Sequence, residues 1–328
     1  MTPTPSNSPG RRRALAAMAS LLCARNGWSQ PNGPGGLITL YVPWPAGGAT
    51  DLTLRVLADL AGQTLGQKII IENRPGAGGS LAMPLLQQAN ADGSVLAQLP
   101  QPVLRIPYLQ KVNWDPIRDT TPIIQLSGVT FGVVVPAGSP LRSLADLLAF
   151  ARAHPGELSV ATNGNGTTPH LVMEELLTEQ GLHYIHVPYK GTAEQMVAVS
   201  SGQVMVGVNS NGFAPFVDSG RLRLLVTFGD SRTHRWPQVP TLKELGYPIV
   251  ANSPYGLVGP RGLAAEQVQR LHEAFKAALF HPRHLAELAR YDQEPAYLGP
   301  TDYGRALVQA YAYERRQAER QGLLPLRS

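Results

Sequence analysis

"YVPWPAGGATD", Tyr41 to Asp51, sets two prolines around a tryptophan, then two glycines, then a threonine and an aspartate. Each choice has a physical consequence. Pro43 has no N–H for a sheet and ends the preceding strand "LITLYVP". Pro45 keeps Trp44 extended. Gly47 and Gly48 allow a close approach of backbone to ligand, and Thr50 or Asp51 can cap a following helix. A helix N-terminus offers unpaired N–H groups and partial positive charge, so it binds carboxylate or phosphate without arginine. An ordinary strand-to-helix turn would carry the same residues.

The construction recurs. "ATNGNGTTPH", Ala161 to His170, ends a strand, turns through asparagines and glycines, offers Thr167 or Thr168 as a cap and starts a helix. In open α/β sheets ligands lie beyond the carboxyl ends of strands. Two such turns on facing lobes would clamp an anion, with Gly48 and Gly166 acting through their backbones.

Outward from these stretches, the pattern alternates. "TDLTLRVLADLAGQTLG" carries Leu52, Val56, Leu57, Leu60 and Leu65 on a helical stripe, stopped by Gly66. "KIIIENR" reads as a strand, "PGAGG" as a turn, "SLAMPLLQQANA" as a helix interrupted by Pro84, and "SVLAQL" as a strand. This predicts a mostly parallel sheet with helices on both faces. The stretch from Gln101 to Pro122 reads as irregular and proline-rich, and "IIQLSGVTFGVVVP" as two strand-like runs. A second series starts at Ser143, with strands at "LSVAT", "YIHVPY", "VMVGVN" and "RLLVTF" and helices between them. Residues 264–320 read as almost wholly helical, predicted to return and pack on the first lobe.

The 328 residues suit about two domains. Of the 28 Lys and Arg, four (Arg11, Arg12, Arg13 and Arg25) lie in the first 29 residues, which hold no Asp or Glu. The other 24 balance 23 acidic residues, so the charge gives no footprint for nucleic acid. "RRRALAAMASLLCA" is a basic run followed by an apolar stretch, too short for a span of about 20 residues. It fits a secretory signal peptide over 1–29, cleaved after Ala24 or Ser29. Arg11 to Arg13 leave a twin-arginine route open, and the "SLL" before Cys23 lacks the small residue of a lipidation site. Cys23 is the one cysteine, which leaves the remainder without disulfides, thiol nucleophile or thiolate metal site.

Enzyme signals are weak. "GAGGSL" lacks the last glycine of a dinucleotide loop and fits a helix cap better; no G-x-S-x-G or P-loop pattern occurs. His183 and His186 fall on opposite faces of a strand, a poor arrangement for a shared metal. Tyr189 and Lys190 either face the cleft or shape its loop. No catalytic group, metal or cofactor is expected.

With "VPWPAGGATD", "IIIENRPGAGGS", "WDPIRD", "ATNGNGTTPH", "HVPYKG", "GQVMVGV" and "VPTLKELGYP" in this order, the chain resembles the periplasmic substrate-binding proteins of tripartite tricarboxylate transporters, the Bug/TctC family. The resemblance implies an α/β, bilobal periplasmic binding protein (type II, Venus flytrap) with two mixed sheets flanked by helices. Lobe 1 is expected over 30–131 and 255–328, lobe 2 over 132–254. It also implies a monomeric periplasmic receptor that delivers a small carboxylate to a membrane permease. Sensing for a membrane kinase and an enzyme working in the same cleft are the competing readings.

The ligand carboxylate is then expected at Trp44, Pro45, Ala46, Gly47, Gly48, Ala49, Thr50 and Asp51, and at Thr162, Asn163, Gly164, Asn165, Gly166, Thr167, Thr168 and His170. Two departures from the family pattern concern specificity. The loop after the third strand carries Gln98 and Gln101 where small hydroxyl residues are usual. "GVNSNGF" presents Asn209 and Asn211 where an aspartate often stands. A neutral wall disfavours an amino-acid ligand and leaves di- or tricarboxylates, or aromatic ones given Trp44 and Phe213. Trp44 serves either the ligand or packing between lobes.

Overall fold

The structure, a computed structural model, describes residues 36–178 and 180–320. The leader expected over 1–29, with Cys23, lies outside the described residues.

Strand β1 (Leu37–Val42) buries Ile38, Leu40 and Val42. It pairs in parallel with β2 (Lys68–Asn73) and β3 (Val95–Leu99), setting Leu40 beside Ile71 and Leu96. Parallel neighbours need crossovers. The first is α1 (Ala49–Leu65), whose buried Leu54, Leu57, Ala58, Ala61 and Leu65 repeat at helical spacing. Gly66 closes it in a left-handed conformation (φ 64°), its N–H reaching the Gly62 and Gln63 carbonyls. The second crossover passes a short 3-10 turn (Ala77–Gly79) and α2 (Ala82–Gln88). Pro84 does not break α2, because it lies in the first turn, where the N–H has no partner.

The proline-rich stretch holds a helix that the sequence reading left irregular, α3 (Gln101–Leu109). Pro102 sits in its first turn, where the N–H has no partner, and Pro107 in its last, where the bond to the Val103 carbonyl is given up. Val103, Leu104 and Ile106 are buried against Leu99, Trp114 and Tyr303, and that burial decides the conformation.

The two expected strand-like runs after Pro122 form one 17-residue strand, β4 (Thr120–Pro136). Its first part pairs antiparallel with β9 (Asn252–Pro260), which lies against β3. Its second part pairs antiparallel with β7 (Val206–Ser210) and β8 (Leu222–Thr227). One strand therefore serves two mixed sheets. The chain passes between them at Val129–Phe131 and returns at Ala251, whose N–H meets the Phe228 carbonyl at 2.8 Å.

In the second sheet β5 (Ser159–Thr162) pairs in parallel with β6 (Ile185–Pro188) and β7. Its helices are α4 (Leu144–Ala153), capped by the Ser143 hydroxyl, α5 (Thr168–Thr178), α6 (Thr192–Ser200) and the short α7 (Ala214–Asp218). The C-terminal part contains α8 (Ala265–Leu279), α9 (Pro282–Ala289) and α10 (Pro300–Arg320). It is not wholly helical. β10 (Pro295–Leu298) adds an antiparallel strand to β4. α8 packs Leu271, Ala274 and Phe275 into the cluster that holds Leu54 and Leu57 of α1. A fully buried side chain of that size contributes about 1.5–3 kcal/mol. The late helices thus complete the first core, as expected.

Candidate functional site

Between the two sheets lies a cavity of about 700 Å³, its open mouth included. The loop after β1 forms one wall. Asp51, 1% exposed, builds this loop from inside. Its carboxylate accepts from the Gly47 N–H (2.8 Å), from Asn73 Nδ2 (2.8 Å) and from Arg55 Nε (3.0 Å). Asn73 also donates to the Trp44 carbonyl at 2.9 Å. The arrangement resembles a capping box, with the acid on the third helical position reaching back before the cap. Burial pushes the Asp51 carboxyl up, but the bonds from Arg55, Asn73 and Gly47 outweigh it and hold it below the usual carboxylate range. Gly48, at the cap, provides no side-chain bond. The first N–H groups of α1 are left uncapped, and Gly48, Ala49 and Thr50 line the cavity.

The facing wall repeats this. Gly164 and Gly166 take φ values of 120° and 70°, so the turn needs glycine at both. Thr167 turns its hydroxyl back to the Gly164 carbonyl (2.7 Å). Thr162 Oγ1 lies 2.7 Å from His186 Nε2. The His170 Nδ1 accepts from the Gly166 N–H at 3.2 Å. Asn163, Thr167, Thr168 and Pro169 reach the cavity.

A third helix N-terminus, absent from the sequence reading, also points here. α6 starts after Gly191 without a side-chain cap, and Thr192 and Ala193 line the cavity. The Thr192 hydroxyl turns away to Asn209 Oδ1 (3.0 Å). "KGTAE" has the same glycine-then-threonine start as Gly166–Thr167 of the second loop, and that is the available signal.

Apolar surface makes up most of the rest, from Trp44, Pro45, Pro100, Val129, Phe131 and Tyr255, with Ser210 and Ser253 beside it. No lining residue is charged or a histidine. Three buried polar atoms in this lining have no hydrogen-bond partner: Gln98 Oε1, Asn163 Oδ1 and Thr168 Oγ1.

Of the residues named from sequence, Trp44, Pro45, Gly48, Ala49, Thr50, Gln98, Asn163, Thr167 and Thr168 meet around this space. The others stand behind or beside it. Gly47 and Asp51 brace the first loop, and Ala46 lies on the same turn. Gly164, Asn165 and Gly166 line a neighbouring opening that shares Trp44 and Asn163 with the cavity and has Lys190 at its edge. Gln101 faces away, donating to Glu314 Oε1 at 2.7 Å. Asn209 is fully buried, bonded to Gln195 and to the Ser210 N–H. Asn211 ties the sheets together, accepting from the Thr130 N–H (2.9 Å) and donating to the Asp292 carbonyl (2.9 Å). From that segment it is Ser210 that reaches the cavity.

Behind the second loop the His170 and His186 rings stack at 4.2 Å. Burial pushes the His186 ring down to about 4, helped by His170. Burial also lowers His170, opposed by Glu174 and assisted by Arg105. Both rings are therefore neutral near pH 7.

Two mixed sheets joined through one long strand, with a charge-free cleft between them, define a bilobal periplasmic binding protein. The chain matches the tripartite tricarboxylate transporter family receptor (TctC) family over residues 53–323, and it belongs to that family. A Cupriavidus necator relative, described as the UPF0065 protein in the gbd 5' region, is 46% identical over 286 residues, 87% of this chain and 88% of its own. An R. palustris structure solved with adipate superimposes with a TM-score of 0.82 at 28% identity, covering 92% of this chain and 100% of that one. MatC from Rhodopseudomonas palustris, with bound malate, gives 0.78 at 25% identity, covering 86% and 98%.

Proposed function

We propose that this chain is a periplasmic solute-binding receptor that captures a small carboxylate between two lobes and delivers it to a tripartite tricarboxylate transporter permease. The ligand is a di- or tricarboxylate, or an aromatic carboxylate. The lobes are 30–131 with 255–328, and 132–254. They close by rotating about the two crossings near Phe131 and Pro254. The leader over 1–29 exports the chain, which works as a monomer and without chemistry on its ligand.

One observation carries this reading. Three helix N-termini, two of them with no side-chain cap, converge from both sheets on one cavity lined without charge. Uncapped N–H groups and helix dipoles suit an anion, and a cleft between two lobes suits capture followed by release. Family membership and carboxylates bound by two solved relatives support the same reading.

Isothermal titration of the purified chain tests it. Carboxylates are expected to bind with saturable heat while their uncharged amides do not. Equal binding of acid and amide, or conversion of the acid during the titration, overturns the reading.

A further inference from the structure

The uncapped N–H groups account for one carboxylate. They do not account for Gln98. Gln98 lies one residue before the end of β3, paired with Leu257 of β9, and is 2% exposed. The amide oxygen has no hydrogen-bond partner, and among the described residues no group bonds the amide nitrogen either. Across the cavity, Asn163 Oδ1 and Thr168 Oγ1 are likewise buried and unpartnered. Buried polar groups are nearly always paired, and leaving one unpaired costs as much as its desolvation. An unpartnered amide on the wall of a ligand cavity therefore leaves a place for a polar group of the ligand.

The chemistry of an amide narrows that group. Whichever way it is turned, one end donates and the other accepts. A hydroxyl does both. A second carboxylate accepts only, so it leaves the carbonyl oxygen of Gln98 without a donor. An ammonium donates only, and no Asp or Glu lines the wall to balance it. An unsubstituted apolar chain leaves the whole amide unpaired.

We propose that the cleft is built for a hydroxycarboxylate: the carboxylate sits at the helix N-termini and a hydroxyl sits at Gln98, which reads it. This rests on the receptor reading above and deepens it. Gln98 is thus a specificity residue and the N–H groups are the anchor. A site built around a ligand hydroxyl rejects the analogue lacking it more strongly than an apolar pocket rejects an added group.

The test is titration with matched pairs: butyrate and 4-hydroxybutyrate, succinate and malate, benzoate and 4-hydroxybenzoate. In the pair that the cleft accepts, the hydroxylated acid is expected to bind at least about tenfold more tightly than its parent. Gln98→Leu, close in volume and apolar, is expected to fold and to reduce that ratio to near one, mainly by weakening the hydroxy acid. Gln98→Met gives the same readout if the leucine variant fails to fold. If parent and hydroxy acid bind equally, or if the ratio survives in a folded Gln98 variant, the hydroxyl assignment is wrong while the receptor reading stands. If succinate binds more tightly than both malate and 4-hydroxybutyrate, the group at Gln98 is a carboxylate and the assignment again fails. Binding of none of the six acids overturns this inference, and the receptor reading falls with it only if citrate and adipate give no binding heat either.

Discussion

Arg105 on α3 donates from Nη1 to the Gly166 carbonyl at 3.0 Å, joining a helix of the first core to the glycine loop of the second. The arginine is held by Glu314 of α10, Nε to Oε2 at 2.5 Å and Nη2 to Oε1 at 3.0 Å. Arg105 is 8% exposed and Glu314 1%. Removing one partner of a buried pair strands the other charge, at a cost of about 3–5 kcal/mol. Arg105→Leu is therefore expected to lower stability by that order, read by urea denaturation. Arg105→Leu with Glu314→Leu should recover much of the loss, because no charge is stranded. A double variant less stable than the single would contradict this account.

The stacked histidines predict a pH response. Both His170 and His186 are lowered in the fold, chiefly by burial. The unfolded chain then binds more protons than the folded one below an ordinary histidine value of about 6.5. Their contribution to stability is complete above about pH 6.5 and is lost as pH falls toward about 4. Protonating His170 Nδ1 also removes the acceptor for the Gly166 N–H, and Arg105 opposes the new charge. His284, lowered by burial too, acts in the same direction. The urea midpoint should fall across this window, and His186→Gln should flatten the fall. An unchanged slope in that variant would rule the pair out as its source.

Asp51 makes no contact with the cavity, yet its loss should be felt there. Asp51→Ala frees the Gly47 N–H and deprives Asn73 and Arg55 of their shared acceptor. Buried groups left unpaired cost about 1–3 kcal/mol. The loop carrying Gly48 and Thr50 should loosen, and carboxylate affinity should drop at least about tenfold in titrations on folded protein. Wild-type affinity would show that the loop holds its shape without this carboxylate.

How much of this was readable beforehand depends on distance along the chain. The stripe of α1 and its Gly66 stop are local, and so are the two glycine loops, so their conformations could be read from spacing. The Bug/TctC resemblance, resting on many short motifs in order, held. α3 was missed because its prolines look like breakers until Leu104 and Ile106 find a core. β4 was split in two because Gly128 and Gly132 interrupt its pattern, although pairing with β9, β7 and β8 keeps it one strand. Arg105 and Glu314 are 209 residues apart, and no local pattern links them. Asn209 and Asn211 read as a wall because they stand where the family often has an aspartate. Their burial became visible only with Gln195, Thr130 and Asp292 in place.

The two glycines expected to act alike should behave differently. Gly166 has φ of 70°, and a Cβ there would meet Leu109 Cδ1 at 3.3 Å. A side-chain-bearing residue in that conformation costs about 1–2 kcal/mol. Its carbonyl also receives Arg105, so Gly166→Val should lower both stability and affinity. Gly48 has φ of −77°, which any residue adopts, and the nearest atom to an added Cβ is the Pro45 carbonyl oxygen at 3.7 Å. Strain is absent at Gly48. Gly48→Val should fold with stability within about 0.5–1 kcal/mol of wild type. Its side chain would stand beside the first N–H groups of α1, where the carboxylate is proposed to sit. Affinity should then fall by more than about tenfold, and Lys190→Ala, at the edge of the outer opening, should cost less because solvent screens that charge. Thermal melts and titrations on the three variants check the order. If Gly48→Val binds as wild type while Lys190→Ala does not, the anchor is an ion pair and not the helix terminus.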